Sequence, residues 1–204
     1  MRDSKSKSLP HLYLIETNNR QDSCLDLQVE WKKVCSGDKE ALGKLFSGTF
    51  DSLYSYGYRI TPNSEDVRDA IQEVFFQVWN YRETLNIPDS VRAYLFTSLR
   101  HELLNKKRAS KRRRDLFNKY YTEEFDTLFN YNNWEEILNL DENESRELKK
   151  AIQNLTPRQR EAIYLKYFEG LSTEELSQIL QIRTQSIYNL VLKAINNLRR
   201  YLDE

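Results

Sequence analysis

Glycine and proline are scarce in this 204-residue chain, at 5 and 4 residues, which excludes collagen-like and low-complexity architectures. Cysteine and histidine number only 2 each, and Cys24, Cys35, His11 and His101 show no metal-ligand spacing, so neither a zinc site nor a disulfide framework is expected. No apolar run approaches the roughly 18 residues needed to cross a bilayer. The start, Met1 to Thr17, is interrupted by Lys5, Lys7, His11 and Glu16 and is too polar for a signal peptide. A cytoplasmic protein with reduced thiols and no direct membrane insertion is the expectation. A catalytic constellation is lacking as well: there is no Ser/His/Asp order and no phosphate-cradling glycine loop, so no enzyme activity and no cofactor is expected.

Net charge is the last absence, with 31 basic residues against 31 acidic ones. Mixed evenly, these charges would argue against a nucleic-acid partner, but they are segregated. Arg100 to Arg114 holds eight basic residues (Arg100, Lys106, Lys107, Arg108, Lys111, Arg112, Arg113, Arg114) and a single acid, Glu102. Asp115 to Glu147 holds ten acids and only Lys119 and Arg146 in opposition. A cationic stretch followed at once by an acidic one suggests a phosphate-binding surface beside a segment that shields it or mimics nucleic acid; a solvated helix end is the other reading of the basic block. With 39% hydrophobic and 12% aromatic residues the chain has the material for packed cores.

The apolar period is helical almost throughout, and the expected fold is all-α, two helical domains joined by an acidic linker. Residues 1–24 are polar and unpatterned and read as a flexible extension. Residues 25–112 form the first domain. In it Leu42, Leu45, Phe46, Thr49, Leu53 and Tyr56 share one helical face, broken at Pro62. A second helix starts with Asn63 or Ser64 as N-cap and places Glu65 and Asp66 in its electropositive first turn. Val67, Ala70, Ile71, Val74 and Val78 line its inner face, while Asp69, Gln72, Glu73 and Phe76 fall outside it. A third helix over about Val91 to Lys111 turns Leu95, Leu99, Leu103, Tyr94 and Phe96 inward. Residues 113–147 read as the linker.

Residues 148–204 form the second domain and carry clear punctuation. Thr156-Pro157-Arg158-Gln159 is a capping box with proline at the first helical position, where its missing N–H costs nothing, and the helix stops at Gly170. Ser172-Thr173-Glu174-Glu175 is a second capping box. A short turn, Gln181 to Arg183, leads to Thr184 as the next N-cap, and the last helix buries Ile187, Leu190, Val191, Ala194, Ile195 and Leu198. A short capped helix, a tight turn and a longer helix match a helix-turn-helix; an ordinary helical hairpin would look similar. The outer face left by that burial, Thr184, Gln185, Ser186, Tyr188, Asn189, Leu192, Lys193 and Asn196, holds no acid. Gln and Asn suit base edges in a major groove, and Lys193 suits phosphate.

The stretches Asp69–Trp79 (DAIQEVFFQVW), Leu155–Leu165 (LTPRQREAIYL), Glu169–Leu176 (EGLSTEEL) and Lys193–Arg199 (KAINNLR) resemble the extracytoplasmic-function class of sigma factors, promoter-recognition subunits of bacterial RNA polymerase. Val34–Ala41, Ser90–Leu95 and Gln185–Asn189 are most similar to the Bacteroidetes-type branch of that class. The resemblance implies that the first domain is sigma region 2 and the second region 4. It implies that Asp69, Gln72, Glu73 and Phe76 dock on the β′ coiled coil of core RNA polymerase, although a solvated helix face has the same composition. It implies that the loop from about Glu83 to Ser90, with Tyr94, Arg100, His101, Asn105, Lys107 and Arg108, handles the −10 element and its flipped base. For Tyr94, a core position is the competing reading. Region 4 would read the duplex −35 element of promoter DNA through Thr184, Gln185, Ser186, Tyr188, Asn189 and Lys193 while touching the β flap. The linker would thread toward the polymerase active site, and an anti-sigma factor is an expected partner. His101 stands where the class often has Asn, and Gln181 where it often has Gly. A stand-alone helix-turn-helix regulator that binds duplex DNA as a dimer is the alternative from another class.

Overall fold

The computed structural model describes residues 25–115 and 142–202, with side chains for 25–109 and 148–201. The extension, with His11 and Cys24, and most of the linker, with its aromatics, lie outside the described residues. Every described element is helical.

The first bundle has four helices: α1 (Leu27–Cys35), α2 (Lys39–Ile60), α3 (Ser64–Tyr81) and α4 (Val91–Asp115). Short polar side chains start three of them. Asp26 accepts from the Gln28 and Val29 amides, Asp38 from Glu40 and Ala41, and Asn63 from Glu65 and Asp66, so each satisfies donors that a helix N-terminus otherwise leaves open. Asn63 rather than Ser64 is the cap of α3. The α1 helix was not expected from the sequence; it is short, but Trp31 and Val34 on one face are fully buried and hold it against α2. Leu45, Leu53, Tyr56, Ile71, Leu95 and Leu99 complete the core, each contributing about 1.5–3 kcal/mol by leaving water. Ser90 caps α4 by accepting from the Ala93 amide at 3.1 Å, and Gln28 of α1 donates to the Pro88 and Asp89 carbonyls at 2.9 and 3.0 Å, fixing the loop that leads into α4.

The second bundle contains α5 (Glu142–Gln153), α6 (Pro157–Ile163), α7 (Thr173–Leu180) and α8 (Thr184–Leu202). Helix α5 begins inside the stretch read as linker; Glu142 and Glu144 stand at its positive end, and Ala151 and Ile152 are buried against α8. Both capping boxes are present, Thr156 with Gln159 and Ser172 with Glu175. Beyond Ile163 the chain widens into a π-turn over Tyr164–Phe168 rather than continuing as α-helix, and it is closed by Leu171 donating to the Leu165 carbonyl at 3.1 Å. That closure needs the left-handed conformation at Gly170 (φ 64°), which glycine adopts without steric penalty.

The two bundles pack on each other through α4 and α7, and their buried side chains form one continuous apolar core.

Candidate nucleic-acid interface

On the outer face of α3 the structure brings Asp69, Gln72, Glu73 and Phe76 together over two turns. Phe76 is 59% exposed although α3 buries six other side chains, and Gln77 donates to Glu73 at 2.9 Å along the same face. Lys106 of α4 stands 3.8 Å from Asp69, an exposed pair of small energetic weight.

On α4, His101, Asn105 and Arg108 follow at i, i+4 and i+7 and share one stripe. With Arg100, Arg158 and Gln181 they line a solvent-open cavity of about 470 Å³ at the seam between the bundles. Lys107 lies half-buried on the neighbouring face. Tyr94 is turned the other way, half-buried with its ring edge-on to Trp31 at a centroid distance of 5.0 Å. Its contacts are those of a core-packing side chain.

Helix α8 begins at Thr184, so Thr184 belongs to the first turn and the carbonyl of Arg183 starts the ladder, accepting from Ser186 and Ile187. Gln185, Ser186, Tyr188, Asn189 and Lys193 are all exposed on one side, while Ile187, Ala194 and Leu198 are buried on the other. Tyr188 and Leu192 are 55% and 58% exposed, one turn apart on that outer face. The turn before α8 places Gln181 in the left-handed region (φ 53°, ψ 45°). A side chain there costs about 1 kcal/mol relative to glycine. Gln181→Gly is therefore expected to raise the midpoint of thermal unfolding by a few degrees, read by circular dichroism.

Sequence reasoning missed the seam itself. Glu161 is buried between the bundles and gathers three donors. Tyr56 Oη donates to its Oε1 at 2.7 Å, Arg100 Nε to Oε1 at 2.9 Å and Arg100 Nη2 to Oε2 at 3.4 Å. Burial, and then the charge of Glu161, push the Tyr56 hydroxyl well above its ordinary pKa, so it stays protonated and donates. Burial works to lower the Arg100 pKa, but the Glu161 charge and hydrogen bond overcome it and the net direction is upward. Arg92 donates to the Glu169 carbonyl at 2.8 Å and to its carboxylate at 3.3 Å, and Ser90 Oγ donates to Glu175 at 2.5 Å. Gln181 donates to His101 Nε2 at 2.7 Å, and the Arg59 guanidinium covers the Tyr164 ring at 4.3 Å. A signal for Glu161 was present: it stands one helical turn before the fully buried Leu165 and beside buried Ala162, and a carboxylate in such a position requires a cationic partner.

Two family models match in the order and places of the two bundles. A sigma-70 region 2 model matches residues 45–113, and a sigma-70 region 4 model matches residues 145–198. Together they span more than half the chain. The chain belongs to the sigma-70 family. This sigma factor is 24% identical over 182 residues to the ECF RNA polymerase sigma factor SigK of Mycobacterium ulcerans, covering 87% of this chain and 94% of that one. SigK of Mycobacterium tuberculosis is likewise 24% identical, with the same shares covered. Among solved structures, CnrH in complex with the cytosolic domain of CnrY shares the fold, with a TM-score of 0.58, 18% identity, and 86% of this chain and 96% of that one covered. RpoE of Bartonella quintana, solved with the anti-sigma factor NepR, gives a TM-score of 0.56 at 22% identity, with 79% and 96% covered. Regions 2 and 4 in this order make the chain an alternative sigma factor with a helix-turn-helix DNA-binding region, and a stand-alone dimeric regulator is not favoured. No described helix is long and apolar enough to cross a membrane.

Proposed function

We propose that this sigma factor docks on core RNA polymerase through α3, opens and holds the −10 element with α4 and the loop before it, and reads the −35 duplex with α8. The observation that carries the reading is the acid-free polar face of α8, exposed on a helix-turn-helix whose first helix is capped by Ser172 and Glu175, together with the basic helix α4 of the other bundle. In this assignment Asp69, Gln72, Glu73 and Phe76 meet the β′ coiled coil; an exposed aromatic ringed by acids suits a partner surface rather than water. Arg100, His101, Asn105, Lys107 and Arg108 hold the −10 strand, with the arginines and lysine on phosphates and His101 at the base, while Tyr94 supports them from the core. Thr184, Gln185, Ser186, Tyr188, Asn189 and Lys193 face the −35 groove, and exposed apolar residues of region 4 reach the β flap. The chain contributes specificity and carries no catalytic centre of its own; phosphodiester chemistry stays in the core enzyme. It acts in the cytoplasm, belongs to the Bacteroidetes-type branch by its Val34–Ala41, Ser90–Leu95 and Gln185–Asn189 stretches, and is held in check by an anti-sigma factor, the kind of partner with which RpoE of Bartonella quintana is in complex.

The test is reconstitution. Purified chain and core polymerase are mixed with sheared genomic DNA of the source organism, and transcript 5′ ends are sequenced. Defined start sites that require the chain, preceded by a shared pair of elements, are expected. Failure to bind core, together with a dimer that shifts duplex DNA alone, would overturn the proposal. On such a promoter Lys193→Ala is expected to weaken binding to all sequences and to reduce the salt slope by about 1. Asn189→Ala is expected to lose about 1–3 kcal/mol at a single base pair of the −35 element, seen as relaxed specificity in a binding series.

A further inference from the structure

Among the described residues, the large apolar side chains that the second bundle leaves exposed are Tyr188, Leu192 and Tyr201, all on α8. Leu192 has no polar atom to offer water, and its neighbours on the helix surface show where it points. At i−7, i−4, i−3, i+4 and i+7 stand Gln185, Tyr188, Asn189, Asn196 and Arg199, every one of them exposed. Leu192 is therefore the centre of the outer face, on the side away from buried Ile187, Ala194 and Leu198. Tyr201, nine residues on, lies half a circuit round the helix and faces elsewhere. A lone leucine on a surface is ordinary, but this one is ringed by the groups that face the −35 groove in the assignment above.

In a major groove Asn and Gln pair with the N6 and N7 edge of adenine, Arg and Lys pair with guanine, and an apolar side chain meets the 5-methyl group of thymine. Helix α8 contains no acid, and no Arg or Lys precedes Lys193 in it. The surface from Gln185 to Leu192 thus offers two amides, a tyrosine ring and a leucine, and no cation for guanine. Amide and apolar group suit the two halves of one A·T pair, the adenine edge and the thymine methyl. The rise from Gln185 to Leu192 is about 10 Å, the height of about three stacked base pairs. We propose that Leu192 is a specificity-determining residue that seats a thymine 5-methyl group, so that the base pairs beneath Gln185, Asn189 and Leu192 are A·T pairs. This rests on the assignment of α8 to the −35 groove and adds to it the class of base read. The gain is hydrophobic, because leucine and methyl leave water together. A C·G pair in the same place presents neither the methyl nor an adenine edge.

The test uses the full chain reconstituted with core polymerase. Duplexes with a randomised segment are captured on this holoenzyme and sequenced, for wild type, Leu192→Ala and Asn189→Ala. The most enriched duplex is then remade with deoxyuridine for thymidine at one upstream position at a time, which keeps every base-pairing hydrogen bond and removes one methyl, and its affinity is measured. Leu192 is 58% exposed, so its truncation costs the fold little. Wild type is expected to enrich adjacent A·T pairs upstream and to lose about fourfold at one or two thymines when the methyl is removed, the factor that corresponds to one buried carbon of this size. Leu192→Ala is expected to bind the thymidine and deoxyuridine duplexes alike, while Asn189→Ala keeps the difference. Deoxyuridine without effect on wild type, while Asn189→Ala changes the sequences enriched, overturns the methyl contact and leaves the −35 assignment standing. A deoxyuridine effect that persists in Leu192→Ala overturns the role of Leu192. Identical enrichment by all three proteins overturns the assignment of α8 itself. Weaker binding of Leu192→Ala to core polymerase without DNA overturns the proposal in favour of a contact with the β flap.

Discussion

Glu73→Arg is expected to weaken binding to core RNA polymerase at least about 30-fold, the scale of a central interface residue lost and a like charge introduced. Glu73 sits in the middle of the α3 face, between exposed Asp69 and Gln72 on one side and exposed Phe76 on the other. Among the described residues its carboxylate is engaged by Gln77 on the same face, so reversal breaks no core contact. Thermal stability should stay within about 0.5 kcal/mol of wild type. Titration of labelled chain with core polymerase reads the affinity, and a melt by circular dichroism checks the fold. Phe76→Ala is the companion variant. It removes an aromatic side chain that is 59% exposed, so its folding cost is small and any loss of core binding belongs to the interface. Unchanged binding by both variants would move the dock elsewhere.

Features set by neighbours in the chain were the legible ones. Asn63, the two capping boxes and Gly170 announce their roles within four residues, and the structure uses each of them as the local rules require. The inner face of α8 was readable for the same reason, since a 3.6-residue period needs only the helix itself. Helix α1 was missed because nine residues give the period little length, and Trp31 with Val34 was too short a pattern to separate from the polar stretch before it. The onset of α5 was set too late because acids concentrated at Asp141–Glu147 resemble a linker in composition, while the same acids favour a helix N-terminus. The seam could not be read from any window. Tyr56 meets Glu161 across 105 positions, Ser90 meets Glu175 across 85, and Arg100 meets Glu161 across 61. The residues proposed for the −10 element came from the family resemblance, which places them on and beside one helix. The sequence does not show that a second bundle covers Arg100, because the Glu161 that pairs with it lies 61 positions further along the chain.

Gly57→Val is expected to destabilise the chain by about 2–3 kcal/mol and to impair core docking and promoter opening together. Gly57 lies in the last turn of α2, buried where α3 and α4 cross it. A Cβ at this position would stand 2.8 Å from Val67 Cγ1 on α3, 3.3 Å from Leu103 Cδ1 and 3.5 Å from Leu99 Cδ2 on α4. The first distance is below any contact a real methyl makes, and Val67, Leu99 and Leu103 are themselves fully packed, so the strain passes into the helix axes. The α3 axis carries Glu73 and Phe76, and the α4 axis carries Arg100, Asn105 and Arg108. The absence of one side chain on α2 therefore sets the distance between α3, proposed to meet polymerase, and α4, proposed to meet DNA. The backbone at Gly57 is ordinary α-helix, so Gly57→Ala separates the two effects of the substitution: alanine relieves helix entropy by up to about 1 kcal/mol while adding only the first clashing carbon. Denaturant unfolding of the three proteins should rank wild type above Gly57→Ala and Gly57→Ala above Gly57→Val. A valine variant as stable as wild type would show that α3 and α4 shift apart freely, and that close packing at Gly57 does not position the two faces.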